Sequence, residues 1–486
     1  MSERAFQEEE FNEEDMGTPG GETRIPLIEE QEEVVPDRIT FVLVLSAFFV
    51  VCGSYVFGNA ASCSSPAESG IMDGLGLSLA EYSVFGSILT VGGLLGALCS
   101  GKIADLIGRR GAMWVTDVSG IIGWCAIFLS ESAWSLDLGR LLLGFGVGLA
   151  SYVVPVYIAE ITPKNLRGGF VSLCMLMIAC GMSMTYIIGS VLNWRILACL
   201  GIIPCLLQLV GLFLIPESPR WLAKVGREKD MKAALQRLRG KNVDISKETS
   251  EIKYKISLQQ NGYIETLQQV SEHSIFHIFQ RKYAQALTVG LGLMVFQQLG
   301  GLSAYGFYMS SILEKAGASS TAGSITTAIV KLAANIVAVF LMDKFGRRPL
   351  LLVSASGACL AGFLIGLSFL LQDYHQSTDV VSTLTFVGIV VFSGFFLIGL
   401  GGIPWIIMAE IFPINVKGSA GSLVNLVSWF GCWLMAYTFN YFFEWSSAGV
   451  FFAFSAICCS AVLFIAKMVP ETKGRTLEEI EASMTS

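Results

Sequence analysis

Twelve stretches of this chain are long and apolar enough to cross a membrane. They run approximately over 39–58, 83–101, 112–130, 138–158, 170–191, 196–215, 284–312, 323–342, 349–371, 382–408, 418–441 and 448–468. Whole blocks such as Ile39–Phe57, Tyr82–Gly101, Ile196–Ile215 and Val450–Ala466 hold no charged residue. About 20 such residues span the ~30 Å of hydrocarbon in a bilayer when they are helical. Backbone N–H and C=O groups in lipid have no water to bond, so helices are the spanning element expected. Only 15% of the 486 residues are charged, against roughly 25% in soluble chains. The fold class read from this pattern is an all-α membrane protein.

The polar segments between the runs set the organisation. Residues 1–37 read as a disordered acidic tail, with acids clustered at 8–10, 13–15 and 29–33. A first group of six spans occupies 38–216 and a second 284–469. The central stretch 217–283 separates them and shows helical patterning around 228–238. Residues 470–486 form a short tail. Lys and Arg fall in alternate connections: Lys102, Arg109, Arg110, Lys164, Arg167, the central stretch, Lys344, Arg347, Arg348, Lys417, Lys473 and Arg475. The connections 59–82, 131–137 and 372–381 contain neither residue, and Arg195 and Lys315 are single exceptions elsewhere. Basic connections stay cytosolic, so both tails and the central stretch are expected in the cytosol. No cleavable leader is read before the first run, which acts as its own anchor. Eleven of the 12 cysteines lie in apolar runs and Cys63 in a connection. They read as small buried packing residues, without disulfide or zinc spacing.

A signature recurs in the basic connections. Asp105-Leu-Ile-Gly108-Arg109-Arg110 in the first half matches Asp343-Lys-Phe-Gly346-Arg347-Arg348 in the second. Glu160-Ile-Thr-Pro163, followed by Arg167-Gly168, matches Glu410-Ile-Phe-Pro413, followed by Lys417-Gly418. A duplicated domain is the simplest origin, and paired halves around a central site are how alternating-access carriers are built. Glycine permits the tight turn, and the arginines can reach Glu160, Glu217, Glu410 and Glu471. Such a cluster is expected to close the cytosolic side and break when that side opens; ordinary surface ion pairs are the alternative.

Further motifs carry a family resemblance. Pro216-Glu-Ser-Pro-Arg-Trp221, Pro470-Glu-Thr-Lys-Gly-Arg475 and Gln297-Gln298-Leu-Gly-Gly301 resemble signatures of sugar porters in the major facilitator superfamily. The resemblance covers roughly 38–482. Cys52-Gly-Ser-Tyr-Val-Phe-Gly58, Ser64-Ser-Pro66 and Pro404-Trp405…Pro413 look more narrowly like the plant early-responsive-to-dehydration-six-like monosaccharide transporters. The resemblance implies two six-helix bundles around a central cavity, with Gln297 and Gln298 bonding sugar hydroxyls and Trp405 lining the cavity. An amide offers donors and acceptors together, and an indole face suits the C–H face of a sugar. Hydrogen bonding between helices is the alternative role for the glutamines.

The chain departs from that pattern at four places. Met175 and Ala304 stand where the family has a glutamine and an asparagine, Ser428, beside Trp429, replaces another asparagine, and Lys331 falls at or near a third. Met175, Lys331, Ser428 and Trp429 therefore join Gln297, Gln298 and Trp405 as candidate substrate contacts. Lys331 lies 12 residues before Asp343, or ~18 Å along a helix, which puts it near mid-membrane. A lysine there faces a cavity or a partner. It contacts a hydroxyl-rich or anionic substrate, forms an ion pair, or is kept neutral. Proton-coupled members carry an aspartate after the Phe-Gly pair of span one, where this chain has Asn59 and Ala60. Facilitated diffusion of monosaccharides is therefore favoured over symport with protons. A carrier of another polyhydroxy or anionic solute, or a non-transporting sugar sensor, remain as alternatives. No enzyme chemistry, cofactor, metal or nucleic-acid partner is expected. Glu22-Thr-Arg-Ile-Pro-Leu27-Ile28 resembles an acidic dileucine sorting signal, one residue too long, and relatives of this kind point to the vacuolar membrane before the cell surface.

Overall fold

The computed structural model describes residues 39–163, 166–240, 243–254, 256–257, 283–412 and 414–473, and for 339, 343, 409 and 414–419 the backbone alone. The acidic tail with its Glu22–Ile28 stretch, residues 258–282 of the central segment and those from 474 onward lie outside that description.

The first half comprises α1 (Phe41–Ser62), α2 (Ser64–Leu75), α3 (Leu79–Phe128), α4 (Ala133–Ile161), α5 (Arg167–Gly189) and α6 (Trp194–Leu214). Two short helices follow, α7 (Pro219–Lys224) and α8 (Glu228–Arg239). The second half contains α9 (Ala284–Gln297), α10 (Ser303–Phe307), α11 (Met309–Lys315), α12 (Ser320–Phe345), α13 (Arg347–Asp373), α14 (Thr378–Ile398), α15 (Ile403–Ile411), α16 (Ile414–Trp445) and α17 (Ser447–Met468). Among the described residues 11 helices suffice for a crossing by length and apolarity. One of them, α3, has 50 residues and turns sharply at Gly108, so it crosses twice and the crossings number twelve. This is the major facilitator architecture, an integral membrane protein of two six-span halves.

The seventh span, expected as one run to 312, is broken. A π-type turn over Gln298–Leu302, with Gly301 at φ 101°, joins α9 to α10. A second break at Tyr308 sets off α11. The tenth span is broken too, between Ile398 and Ile403. Pro404 starts the helix after that break, whereas Pro155 and Pro204 lie inside α4 and α6.

Close packing rests on absent side chains. A Cβ at Gly92 would lie 2.2 Å from Leu141 O, at Gly144 2.1 Å from Leu89 O, and at Gly148 2.0 Å from Gly93 O. The first arm of α3 and α4 thus touch backbone to backbone, the contact that small residues allow in membranes. The cysteines correct one expectation. All 12 are free, but Cys99, Cys199 and Cys459 are exposed on helix surfaces, and Cys63 is the one found buried in a connection.

Gly144→Ala is expected to destabilise the protein by roughly 1–3 kcal/mol through overpacking. Gly101→Ala, where a Cβ meets open space, should be neutral. Thermal unfolding of the two variants in detergent checks this, and equal melting temperatures would count against the backbone contact.

Candidate functional site

The duplicated signature builds the same turn twice. Gly108 has φ 84° and ψ 171°, and Gly346 has φ 85° and ψ 173°. That region is open to glycine and costly for other residues. A helical segment begins after each glycine, and its first N–H groups lack intrahelical acceptors. Glu217 accepts from Arg109 N at 3.2 Å and Arg110 N at 3.1 Å. Glu471 accepts from Arg347 N at 3.0 Å and Arg348 N at 3.1 Å. Each carboxylate thereby sits where the helix dipole favours an anion. A Cβ on the turn glycine would lie 2.6 Å from Glu217 Oε2 or 2.8 Å from Glu471 Oε2.

The arginine side chains repeat as well. Arg109 donates Nε and Nη2 to Glu160 at 2.9 and 3.0 Å, and Nη1 to Asp105 at 3.1 Å. Arg347 donates Nη2 to Glu410 at 3.1 Å. Arg110 Nη2 donates to Leu212 O at 2.5 Å, and Arg348 Nη2 to Ala466 O. One arginine of each pair holds the turn to the span ending in Glu160 or Glu410. The other caps the carbonyl end of α6 or α17. All four acids are engaged, each within its own half. Among the described residues none of these contacts crosses from one half to the other. Asp343 lies on α12 and Lys417 on α16, at positions where the backbone alone is described. Arg167 stands apart from the Arg109 network, with Nε unpartnered and Arg220, Arg239 and Glu248 as charged neighbours. Sequence reasoning missed several supports. Ser218 Oγ donates to Glu160 Oε2 at 2.5 Å, Tyr157 OH to Pro216 O at 2.6 Å, and Trp221 Nε1 to Asp105 O at 2.9 Å. Ser218 and Trp221 lie inside the Pro216–Trp221 motif, so the motif was the available signal.

The copies differ in environment. Burial, the main influence at Glu217, pushes its carboxyl above the ordinary value against the pull of the Ser218, Arg110 and Arg109 N–H groups. At Glu471 burial is also the largest single influence, but the N–H groups of Lys473, Arg347, Arg348 and Thr472 together outweigh it, and the carboxyl falls below the ordinary value.

A second polar cluster forms where the two broken spans meet. Gln297 Nε2 donates to Leu400 O at 2.6 Å and Gly401 O at 3.3 Å, carbonyls freed by the break before α15. Gln298 Nε2 donates to Ser428 Oγ at 3.1 Å, and Ser303 Oγ donates to Gln298 Oε1 at 3.3 Å. Gln297, Gln298 and Ser428 are thus brought together, and the bond to Leu400 gives Gln297 an interhelical partner. Trp405 follows on α15 and remains 36% exposed. Trp429 packs its ring over Gly93, within 2.4 Å of where a Cβ would stand. Met175 is 62% exposed on α5, outside this hydrogen-bond network. The Lys331 ammonium lies 4.7 Å from the centre of the Tyr186 ring. No carboxylate pairs with it among the described residues, so the ion-pair alternative is not what the structure shows.

Among the described residues, the hydrogen bonds joining the halves lie toward the face opposite the Gly108 and Gly346 turns. They are Ser65 Oγ with Ser310, Glu68 with Ser311, Ser183 Oγ to Ala328 O at 3.1 Å, Tyr186 OH to Gly306 O at 2.7 Å, and Thr321 Oγ1 to Ser190 O at 3.5 Å. That face is closed. Two further groups stand outside these clusters; Arg140 went unread in the sequence, and Asp117 was set aside there as lying toward the cytosolic end. Arg140 is fully buried on α4; its Nη1 donates to Ala60 O at 2.6 Å, and its guanidinium lies 4.9 Å from the Phe85 ring centre. Its signal was a lone arginine in an apolar run. Asp117 is 1% exposed on the second arm of α3, with Oδ2 unpartnered.

The comparisons with known proteins agree with this architecture. The family model described as "Sugar (and other) transporter" matches residues 39–484. "Sugar transporter ESL1" of Arabidopsis thaliana is 47% identical over 464 residues, covering 96% of this chain and 97% of that protein. "Sugar transporter ERD6-like 16" of the same plant is 48% identical and covers 93% of each chain. Among solved structures, the inward open conformation of the xylose transporter XylE from E. coli superposes with TM-score 0.75 at 24% identity, covering 91% of this chain and 99% of that one. The proton:xylose symporter XylE bound to 6-bromo-6-deoxy-D-glucose gives 0.69 at 23% identity, covering 92% and 100%.

The two turns should respond oppositely to acid. The Glu471 contribution is present above the ordinary carboxylate value of 4.5 and is lost as pH falls through the lowered one. The Glu217 contribution is present below 4.5 and is lost as pH rises through the raised value. Acidifying from pH 7 through the lowered Glu471 value should therefore deprotect peptides over 343–349 and leave those over 105–111 protected. Hydrogen exchange corrected for intrinsic rates reads this, and equal loss in both would contradict it.

Proposed function

Since the chain belongs to the sugar (and other) transporter family, we propose that it carries monosaccharides across a membrane by alternating access, as a facilitated-diffusion carrier. The face bearing the Gly108 and Gly346 turns is cytosolic, because it holds the basic connections. Both termini then lie in the cytosol. One observation carries the substrate reading: the broken seventh and tenth spans meet at Gln297 and Gln298 with half-exposed Trp405 alongside. Spans broken at the bundle centre are where carriers of this architecture hold substrate. Gln298 and Trp405 contact the sugar, Gln297 holds the break open, and Ser428 and Trp429 complete the wall from α16. Met175 marks the mouth on α5. Lys331, displayed on α12 over Tyr186, adds a donor for a hydroxyl-rich or anionic ligand.

Facilitated diffusion is supported by Arg140, whose guanidinium is held by backbone carbonyls and a ring and has no carboxylate partner among the described residues. Asp117, buried with a free oxygen, favours the second reading, proton symport. The paired turns keep Asp105, Arg109, Arg110, Glu160 and Glu217, and Asp343, Arg347, Arg348, Glu410 and Glu471, moving with their own halves. Arg167 and Lys417 flank these networks.

Uptake of labelled hexoses and pentoses into proteoliposomes tests the assignment. A carrier by diffusion shows counterflow that a protonophore leaves unchanged; uptake that collapses with the gradient selects symport, and no uptake of any sugar removes the reading. Gln298→Ala should raise KM about 3–10-fold, the equivalent of one hydrogen bond, and Lys331→Met should lower uptake of the best substrate.

The acidic tail addresses the protein to the vacuolar membrane through Glu22–Ile28. Leu27→Ala with Ile28→Ala should move a fluorescent fusion to another membrane, and an unchanged location would overturn this role.

A further inference from the structure

On the closed face one carboxyl has no part in the sugar site or the paired turns. Glu68 lies midway along α2 and is 8% exposed. It accepts from Ser311 Oγ on α11, and Asn440 of α16 lies against it. One turn earlier, Ser65 Oγ accepts from Ser310 N at 3.0 Å and lies 3.1 Å from Ser310 Oγ. Helix α2 belongs to the first half and α11 and α16 to the second. Glu68 is therefore buried by the meeting of the halves, and the opening of this face would return it to water.

The groups facing it make the site unfavourable to charge. From α11, Glu314 repels it, while Lys315 is turned away to Phe443 O at 3.1 Å. From α3, Tyr82 donates its hydroxyl to Ser64 O at 2.5 Å, and Tyr308, ahead of α11, donates to Ala436 O at 2.6 Å. Arg140 of α4 donates Nε to Phe85 O and Nη1 to Ala60 O and Cys63 Sγ, and its Nη2 has no partner among the described residues. Cys63 is the neighbouring thiol at the end of α1. The α6 side presents Trp194, against Gly70; the α5 side presents Tyr186, bonded to Gly306. No cation is directed at the carboxyl among the described residues. A buried carboxylate with repulsion and no counter-ion is costly.

We propose that Glu68 is a proton-sensitive latch of the extracytosolic gate: its protonated carboxyl lets α2 close on α11, and its carboxylate holds the two helices apart. This inference rests on the alternating-access reading for its direction, and it gives a carrier without obligatory proton transport a sensor of the pH outside the cytosol. The proton stays on that side, since Glu68 faces water there whenever the gate opens.

The sign follows from the environment. Burial is the main cause pushing the Glu68 carboxyl up to about 7, with Ser311 and Asn440 opposing and Glu314 adding to it. In the open gate it takes the ordinary carboxylate value near 4.5. Proton-linked closure is then full below about 4.5 and is lost as pH rises through about 7. Between pH 5 and pH 8 the closed-to-open ratio should fall roughly 10–100-fold.

The test places spin labels at Asp73→Cys on α2 and Gln376→Cys after α13, in full-length protein with exposed Cys99, Cys199 and Cys459 changed to Ser. Pulsed dipolar distances are read in nanodiscs, without sugar, at pH 5 and pH 8. The short-distance population should dominate at pH 5 and yield to a longer one at pH 8. Glu68→Gln should stay short at both. Glu314→Gln, which keeps the latch and removes the repulsion, should move the midpoint to lower pH. Identical distributions at both pH values in the parent, a parental pH response in Glu68→Gln, or an unmoved midpoint in Glu314→Gln would each overturn the latch. Because no sugar is present, failure of the uptake experiment leaves this result standing, and the reverse holds too.

Discussion

In a bilayer every backbone N–H and C=O must find its partner inside the protein. Helices meet that demand automatically, so each place where a helix stops within the bundle creates a debt of several kcal/mol per unmet group. The functional features of this chain stand at those places. At Gly108 and Gly346 the chain reverses, and the exposed amides of Arg109, Arg110, Arg347 and Arg348 are met by Glu217 and Glu471. Between Ile398 and Ile403 the tenth span unwinds, and the freed carbonyls of Leu400 and Gly401 are met by Gln297. At the break before α11, Ser310 N is met by Ser65 of the other half.

These satisfied breaks differ in what they join, and that difference divides the molecule into moving parts. The Glu217 and Glu471 contacts, and those of Arg109 with Glu160 and Arg347 with Glu410, stay inside one half. Partly buried and bidentate in the Arg109 case, they are stronger than exposed pairs and stiffen the corner of each half. The contacts between halves are of another kind: hydroxyl to hydroxyl, hydroxyl to carbonyl, and one carboxyl. Neutral hydrogen bonds contribute about 0.5–1.5 kcal/mol each. A set of them closes a face and still lets thermal energy and substrate reopen it.

The sequence made the spans legible because length and apolarity alone decide whether a helix can cross. It made the paired turns legible because the same residues occur twice, and the acids Glu160, Glu217, Glu410 and Glu471 are each engaged. Three things were hidden. Gln297 meets Leu400 and Gly401, and a backbone carbonyl more than 100 residues away leaves no residue-type signal. The outward positions of Cys99, Cys199 and Cys459 were illegible because lipid and protein interior are both apolar, so no polar stripe marks the exposed face. Helices α2 and α11 are short, mixed in polarity and set against each other, and neither contrasts with a loop in the sequence. Glu68 was passed over for that reason.

The duplication also conceals a division of labour. Two turns with backbone angles within a few degrees of each other imply one mechanical role performed twice, yet their carboxyls sit in different surroundings. Glu217 is backed by α7 and α8 and loses hydration, whereas Glu471 gathers extra N–H donors from Thr472 and Lys473. Symmetry of sequence therefore fixes the hinge geometry without making the halves electrostatically equal. The residues assigned above to cargo and sensing are divided unevenly between the halves. Gln298, Lys331, Trp405 and Ser428 all belong to the second half, while Arg140 and Glu68 belong to the first. On the assignments proposed above, the cargo contacts lie largely in one half and the proton-sensitive carboxyl in the other, and the contacts between α2 and α11 join the two.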